Sequence, residues 1–74
     1  MPPDLEPSSA EATDALVAVL SDALHALAAT GRSDQANRLA GRAYAALRQG
    51  QPARAQRINV LMHRLSRMPD TTQE

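Results

Sequence analysis

The chain has 74 residues, eight arginines balanced by eight carboxylates, and no cysteine, tryptophan, phenylalanine or lysine. That length allows one domain at most and excludes a doubly wound nucleotide-binding fold or a barrel. Without cysteine there is no disulfide, redox dithiol or thiolate metal site, and with no signal peptide in evidence the cytoplasm is the expected compartment.

Alanine supplies 15 of the 32 residues counted as hydrophobic, and the bulkier ones are nine Leu, three Val, one Ile, three Met and one Tyr. Alanine is the best helix former, with leucine, arginine and glutamine close behind it. Four Val and Ile residues give strands little to build with. The expected fold class is all-α: a three-helix bundle, or a helical hairpin plus one helix, with antiparallel neighbours. Residues 1–8, which hold three of the five prolines, read as a flexible N-terminal arm. Residues 9–68 read as a single three-helix domain and residues 69–74 as a flexible C-terminal tail.

The first helix is expected from about Ser9 to Thr30. Ser8 with Glu11 fits a capping box, and Asp14 sits where the helix dipole favours negative charge. Leu16, Leu20, Leu24 and Leu27, with Val17 beside them, form one stripe of a 3.6-residue helix. Ala12, Val19, Ala23 and Ala26 flank it, and an apolar arc this wide implies more than one neighbour. Gly31 is the expected C′ residue. The apolar run Ala15 to Ala29 contains Asp22 and His25 and is shorter than a membrane span.

The second helix is expected from about Asp34 to Gln49, with Ser33 as N-cap. Its buried face should be Ala36, Leu39, Ala40, Ala43, Ala46 and Leu47, with Tyr44 at the margin. Arg38, Gly41, Arg42, Ala45 and Gln49 fall on the other side, and Gly50 closes the segment. The third helix should begin at Pro52, since proline suits the first helical position, and stop at Pro69. Ala55, Ile58, Leu61, Met62, Leu65 and Met68 form its buried face, beside a stripe of Arg57, Val60, Arg64 and Arg67.

Charge is segregated along the chain. Residues 1–30 hold five carboxylates and no arginine, whereas residues 31–68 hold eight arginines and one aspartate. An acidic helix is thus joined to a basic pair, an asymmetry that can bind helices together, steer a partner or drive association.

Both turns carry the pattern G-x4-A, from Gly31 to Ala36 and from Gly50 to Ala55. Glycine ends one helix and alanine lets the next cross closely. With Ala43 seven residues beyond Ala36, and large side chains at Leu20 and Leu27, residues 17–50 resemble a tetratricopeptide-type helical hairpin. The resemblance covers about half the chain and implies at most one repeat unit, with the third helix a cap or the start of a second; solenoid-type adaptors have this general build. Leu24 stands where that family prefers a small residue and Arg48 where it often has proline. The two G-x4-A units are 19 residues apart rather than one full repeat.

Ser21, Asp22 and His25 are the residue types of a hydrolase triad, but neighbours on the outer face of one helix offer no pocket or oxyanion hole. They read as a solvated polar face, and no catalytic residue is assigned. His25 and His63 form no recognised metal motif, and no glycine-rich phosphate loop is present, so no cofactor or metal is expected. A helix-turn-helix reader would use Arg57, Arg64 and Arg67. However, Gln56 and Asn59 stand where that motif wants apolar residues, and the neutral chain lacks a basic excess.

Seventeen bulky apolar side chains are few for a self-sufficient core of this size. The expectation is therefore a non-catalytic helical protein–protein interaction module (an adaptor, regulator or co-chaperone) that binds another protein or itself as a homodimer. No membrane association is expected, and nucleic-acid binding through the arginine face is the competing reading. The partner-binding residues are expected to be Leu16, Val19, Leu20, Arg57, Val60, Leu61, Arg64 and Arg67. The seam should run between the apolar flank of the first helix and the Val60–Met68 side of the third.

Overall fold

Alanine-rich sequence broken at two glycine-containing turns gives three helices in the computed structural model, which describes residues 9–71: α1 (Ser9–Ala29), α2 (Ser33–Leu47) and α3 (Pro52–Leu65). Among the described residues there is no strand, and antiparallel neighbours form the expected three-helix bundle. The expected Ser8 cap and the whole of the expected N-terminal arm lie outside the described residues. α2 packs most extensively on α3, and α1 touches α3 least.

The core is built from few large side chains and many small ones. Val17, Leu24 and Ala28 enter it from α1, Ala36 and Ala40 from α2, and Ile58, Leu61 and Leu65 from α3. Ala36 and Ala55, the alanines of the two G-x4-A turns, are both buried. With only a methyl group at these positions, the helix backbones approach closely and a thin core still fills. Leu20, Leu27, Ala43, Tyr44, Leu47, Met62 and Met68 pack around its edge.

Gly31 ends α1 with φ +90°, a left-handed conformation that favours glycine. Its N–H donates to the Ala28 carbonyl at 3.0 Å. Gly50 has no such requirement: its φ is not positive and a Cβ there would meet nothing. Pro52 occupies the first turn of α3, as expected.

Ser33 is not the cap of α2. It lies inside the first turn, buried, and Arg32 takes the cap position without a side-chain hydrogen bond. The missing acceptor comes from far along the chain. Asp70 Oδ2 accepts from the Asp34 N–H at 3.2 Å, placing a carboxylate where the helix dipole favours it. Next to it the Thr71 N–H donates to the Gly31 carbonyl at 2.8 Å. Pro69 to Thr71, the described part of the expected tail, thus crosses back over the α1–α2 turn.

Gly41, expected on the outer side of α2, faces α3 instead. A Cβ on it would lie 3.8 Å from the Met62 methyl. Beside it Asn37 Nδ2 donates to the Met62 carbonyl at 3.4 Å. The buried face of α2 is rotated toward α3, which leaves Ala46 and Leu39 exposed rather than covered. In α1, Val17 and Leu24 are buried and Leu20 and Leu27 pack on the core as expected, and only Leu16 of that stripe turns out.

α1 is 21 residues long and contains an 18-residue window of mean hydropathy 1.4, enough by length and composition to cross a membrane. The exclusion of a span on length therefore does not hold, because the helix starts six residues before the apolar run.

Gly31→Ala is expected to lower unfolding free energy by about 1–2 kcal/mol, since alanine is strained at this φ and its methyl would collide with the Thr71 hydroxyl. Urea denaturation measures it. Adding Thr71→Gly should return the steric part and leave the backbone part.

Candidate functional site

The expected partner-binding residues do not form one surface. Leu16 and Val19 are 68% and 65% exposed on α1, Leu20 is half-buried, and Val60 is 43% exposed on α3. Leu61, at 8% exposure, belongs to the core and offers no surface to a partner. Arg57, Arg64 and Arg67 are exposed along α3.

Two positions on α1 explain the division. Asp14 and Leu16 are two residues apart, about 200° around a helix. Asp14 faces α3, where its Oδ1 accepts from Arg54 Nε at 2.8 Å and lies 3.6 Å from Arg57 Nη1. Leu16 faces the other way, toward α2. There a shallow groove of about 210 Å³ is lined by Thr13, Leu16, Val17, Leu20, Ala43, Ala46 and Leu47. The Asp14 side of α1 is thus held to the start of α3 by an intramolecular ion pair, and the open apolar edge of α1 runs with α2.

Arg54 is the clamp of the α1–α3 side. Besides Asp14, its Nη1 donates to Gln51 Oε1 at 2.7 Å and its Nη2 to the Ala10 carbonyl at 3.0 Å. Its side chain is 21% exposed, far less than a solvated arginine. Sequence reasoning placed Asp14 only in relation to the helix dipole and assigned Arg54 no role. The segregation of acid on α1 and arginine on α3 was the available signal.

The groove consists almost wholly of apolar side chains, and its edges extend along both helices. Val19 continues it on α1 and Leu39, 36% exposed, borders α2. Arg42 lies on the outer side of α2 and Asp22 on the outer side of α1, both exposed and without a partner among the described residues. Arg38 pairs with Asp34 one turn away at 3.1 Å on the surface, a contact of small energetic weight.

A different pair of clefts flanks residues 68–71. One, of about 390 Å³, lies between the start of α2 and the end of α3 and is lined by Ser33, Asp34, Asn37, Leu65, Ser66, Met68 and Asp70. The other lies against Gly31 and Thr71. In neither do nucleophile, base and orienting acid converge. Asp22 and His25 are exposed on α1, Ser21 is half-buried, and none of them lines these clefts or the groove. His63 is exposed on α3, and among the described residues no three histidines or carboxylates gather to hold a metal ion.

Compared with protein families, with curated proteins and with solved structures, the chain matches none of them.

Asp14→Ala and Arg54→Ala should each destabilise the bundle modestly and less than additively together. A double-mutant cycle is expected to give a coupling of about 0.5–1 kcal/mol, because the Asp14 end remains in solvent. Denaturation repeated in high salt should shrink that coupling.

Proposed function

We propose that the chain is a non-catalytic protein–protein interaction module whose α1–α2 groove receives an amphipathic helix of a partner. The observation that carries this reading is the state of α1. Of its 21 residues only Val17, Leu24 and Ala28 are fully buried, and Leu16 and Val19 stand in solvent. A helix so apolar and so little covered is the kind of face that docks on another helix. The groove suits helix-in-groove recognition because Ala43 and Ala46 leave room for a partner's large side chains. The exposed Arg42 on its rim favours a partner helix with a carboxylate along one edge. The resemblance of residues 17–50 to a tetratricopeptide-type hairpin supports the same role. A cytoplasmic adaptor, regulator or co-chaperone is the class of protein this reading describes.

The competing reading is a nucleic-acid-associated regulator. It draws on Arg64 and Arg67, which are exposed and have no partner among the described residues. Arg57, the third residue of that stripe, is already beside Asp14, and Val60 interrupts the row. A salt-sensitive mobility shift with DNA or RNA, lost on Arg64→Gln with Arg67→Gln, would favour this reading over the first.

The test of the proposed function is a titration with a designed amphipathic helix bearing a leucine–alanine strip edged by glutamate. Amide shifts at Leu16, Val19, Ala43 and Ala46 are expected. Ala46→Arg, which fills the groove from an already exposed position, should weaken binding about tenfold or more. Absence of shifts at these residues would overturn the reading.

A further inference from the structure

We propose that a second copy of this chain occupies the groove, so that α1 and α2 of two copies form a four-helix bundle about a twofold axis parallel to the helices. The inference rests on the reading of the groove as a helix-binding surface and names the helix that fits it. Each copy carries both halves of the contact: the groove between α1 and α2, and on α1 an exposed apolar edge of Leu16, Val19 and Ala23.

Charge selects this occupant. Asp22 and Arg42 lie ten residues before and ten residues after Arg32 in the turn, hence at the same level of the hairpin. Within one copy they point to outer sides of different helices and make no ion pair. A twofold axis along the hairpin keeps the level of every residue and sets α1 of one copy beside α2 of the other. Asp22 of each copy then borders Arg42 of its partner, on the rim of the new contact.

Side-chain size agrees with the same placement. Leu16 and Ala46 lie at nearly equal distances from the turn, as do Leu39 and Ala23. Across the axis each exposed leucine faces an alanine, so the layers fill without two large side chains competing for one space. Isologous pairing of one patch with itself closes the assembly at two copies. A lipid surface is the poorer occupant. Between Ser9 and Ala29 there is no lysine or arginine, whereas helices that lie on membranes carry basic residues on their polar face.

The experiment is sedimentation equilibrium of the full chain from about micromolar to hundreds of micromolar, with helix content checked by circular dichroism. A mass near twice 7.9 kDa is expected. Leu16→Asp, and independently Val19→Arg, should raise the dimer dissociation constant about tenfold or more with helicity unchanged, because both side chains are exposed in the single chain. Asp22→Arg and Arg42→Asp should each weaken the dimer, and the two together should restore it. A chain that stays single at every concentration overturns the inference, as does a dimer indifferent to Leu16→Asp and Val19→Arg. Additive loss in the charge-exchanged double variant overturns the α1-against-α2 placement. A single chain that still binds the designed helix in its groove sinks the dimer but leaves the proposed function standing, and one that binds neither sinks both. A chain that stays single and floats with neutral phosphatidylcholine vesicles assigns the apolar edge to lipid and also overturns the inference.

Discussion

Close approach of helix backbones over buried alanine is the constraint on which the rest of this molecule depends. Ala28, Ala36, Ala40 and Ala55 sit at the crossings, and between them only Val17, Leu24, Ile58, Leu61 and Leu65 need to be covered fully. Such packing gives many short contacts but removes little apolar area per residue, and small domains have little of it to begin with. Three helices can therefore close without using all the large side chains the sequence provides. Leu16, Val19, Leu39 and Val60 are the surplus.

Where the hydrophobic core is thin, polar contacts between distant residues take on the work of fixing its ends. Arg54 ties the start of α3 to the first turns of α1 through Asp14 and the Ala10 carbonyl. At the opposite end Asp70 and Thr71 close over the α1–α2 turn, supplying an acceptor to α2 and a donor to Gly31. The second acts where a helix terminus would otherwise leave backbone groups without partners, and the first joins two helices through the Arg54 side chain. They also settle which side of α1 is occupied, since the Asp14 side is held to α3 while the Leu16 side stays open beside α2. The functional reading follows from that division: the open side is apolar, shallow, and edged by charges that find no partner among the described residues.

Much of the architecture was legible in the residues. Alanine, leucine and arginine with few β-branched residues dictated helices, and glycine and proline marked their ends within a few positions. The G-x4-A pattern identified Ala36 and Ala55 as places of close crossing, and both are buried. Periodicity was less reliable at the next level. In α1 it put Leu16 in the same stripe as Val17, Leu20, Leu24 and Leu27, although Leu16 alone of these is exposed. A helix with apolar residues over so wide an arc has no unique buried face until its neighbours are in place. The same ambiguity put Gly41 outside and Ala46 inside on α2.

What the sequence determined by itself is what depends on neighbouring residues: helical conformation, the left-handed turn at Gly31, the proline start of α3, and the excess of acid on one helix over arginine on the others. Tertiary structure alone decided the rotation of each helix, the burial of Leu61, the capping of α2 by Asp70 rather than Ser33, and the union of Arg54 with Asp14 and Ala10. These join residues some forty positions apart, and no local periodicity encodes which of several apolar or charged faces will meet when three helices pack.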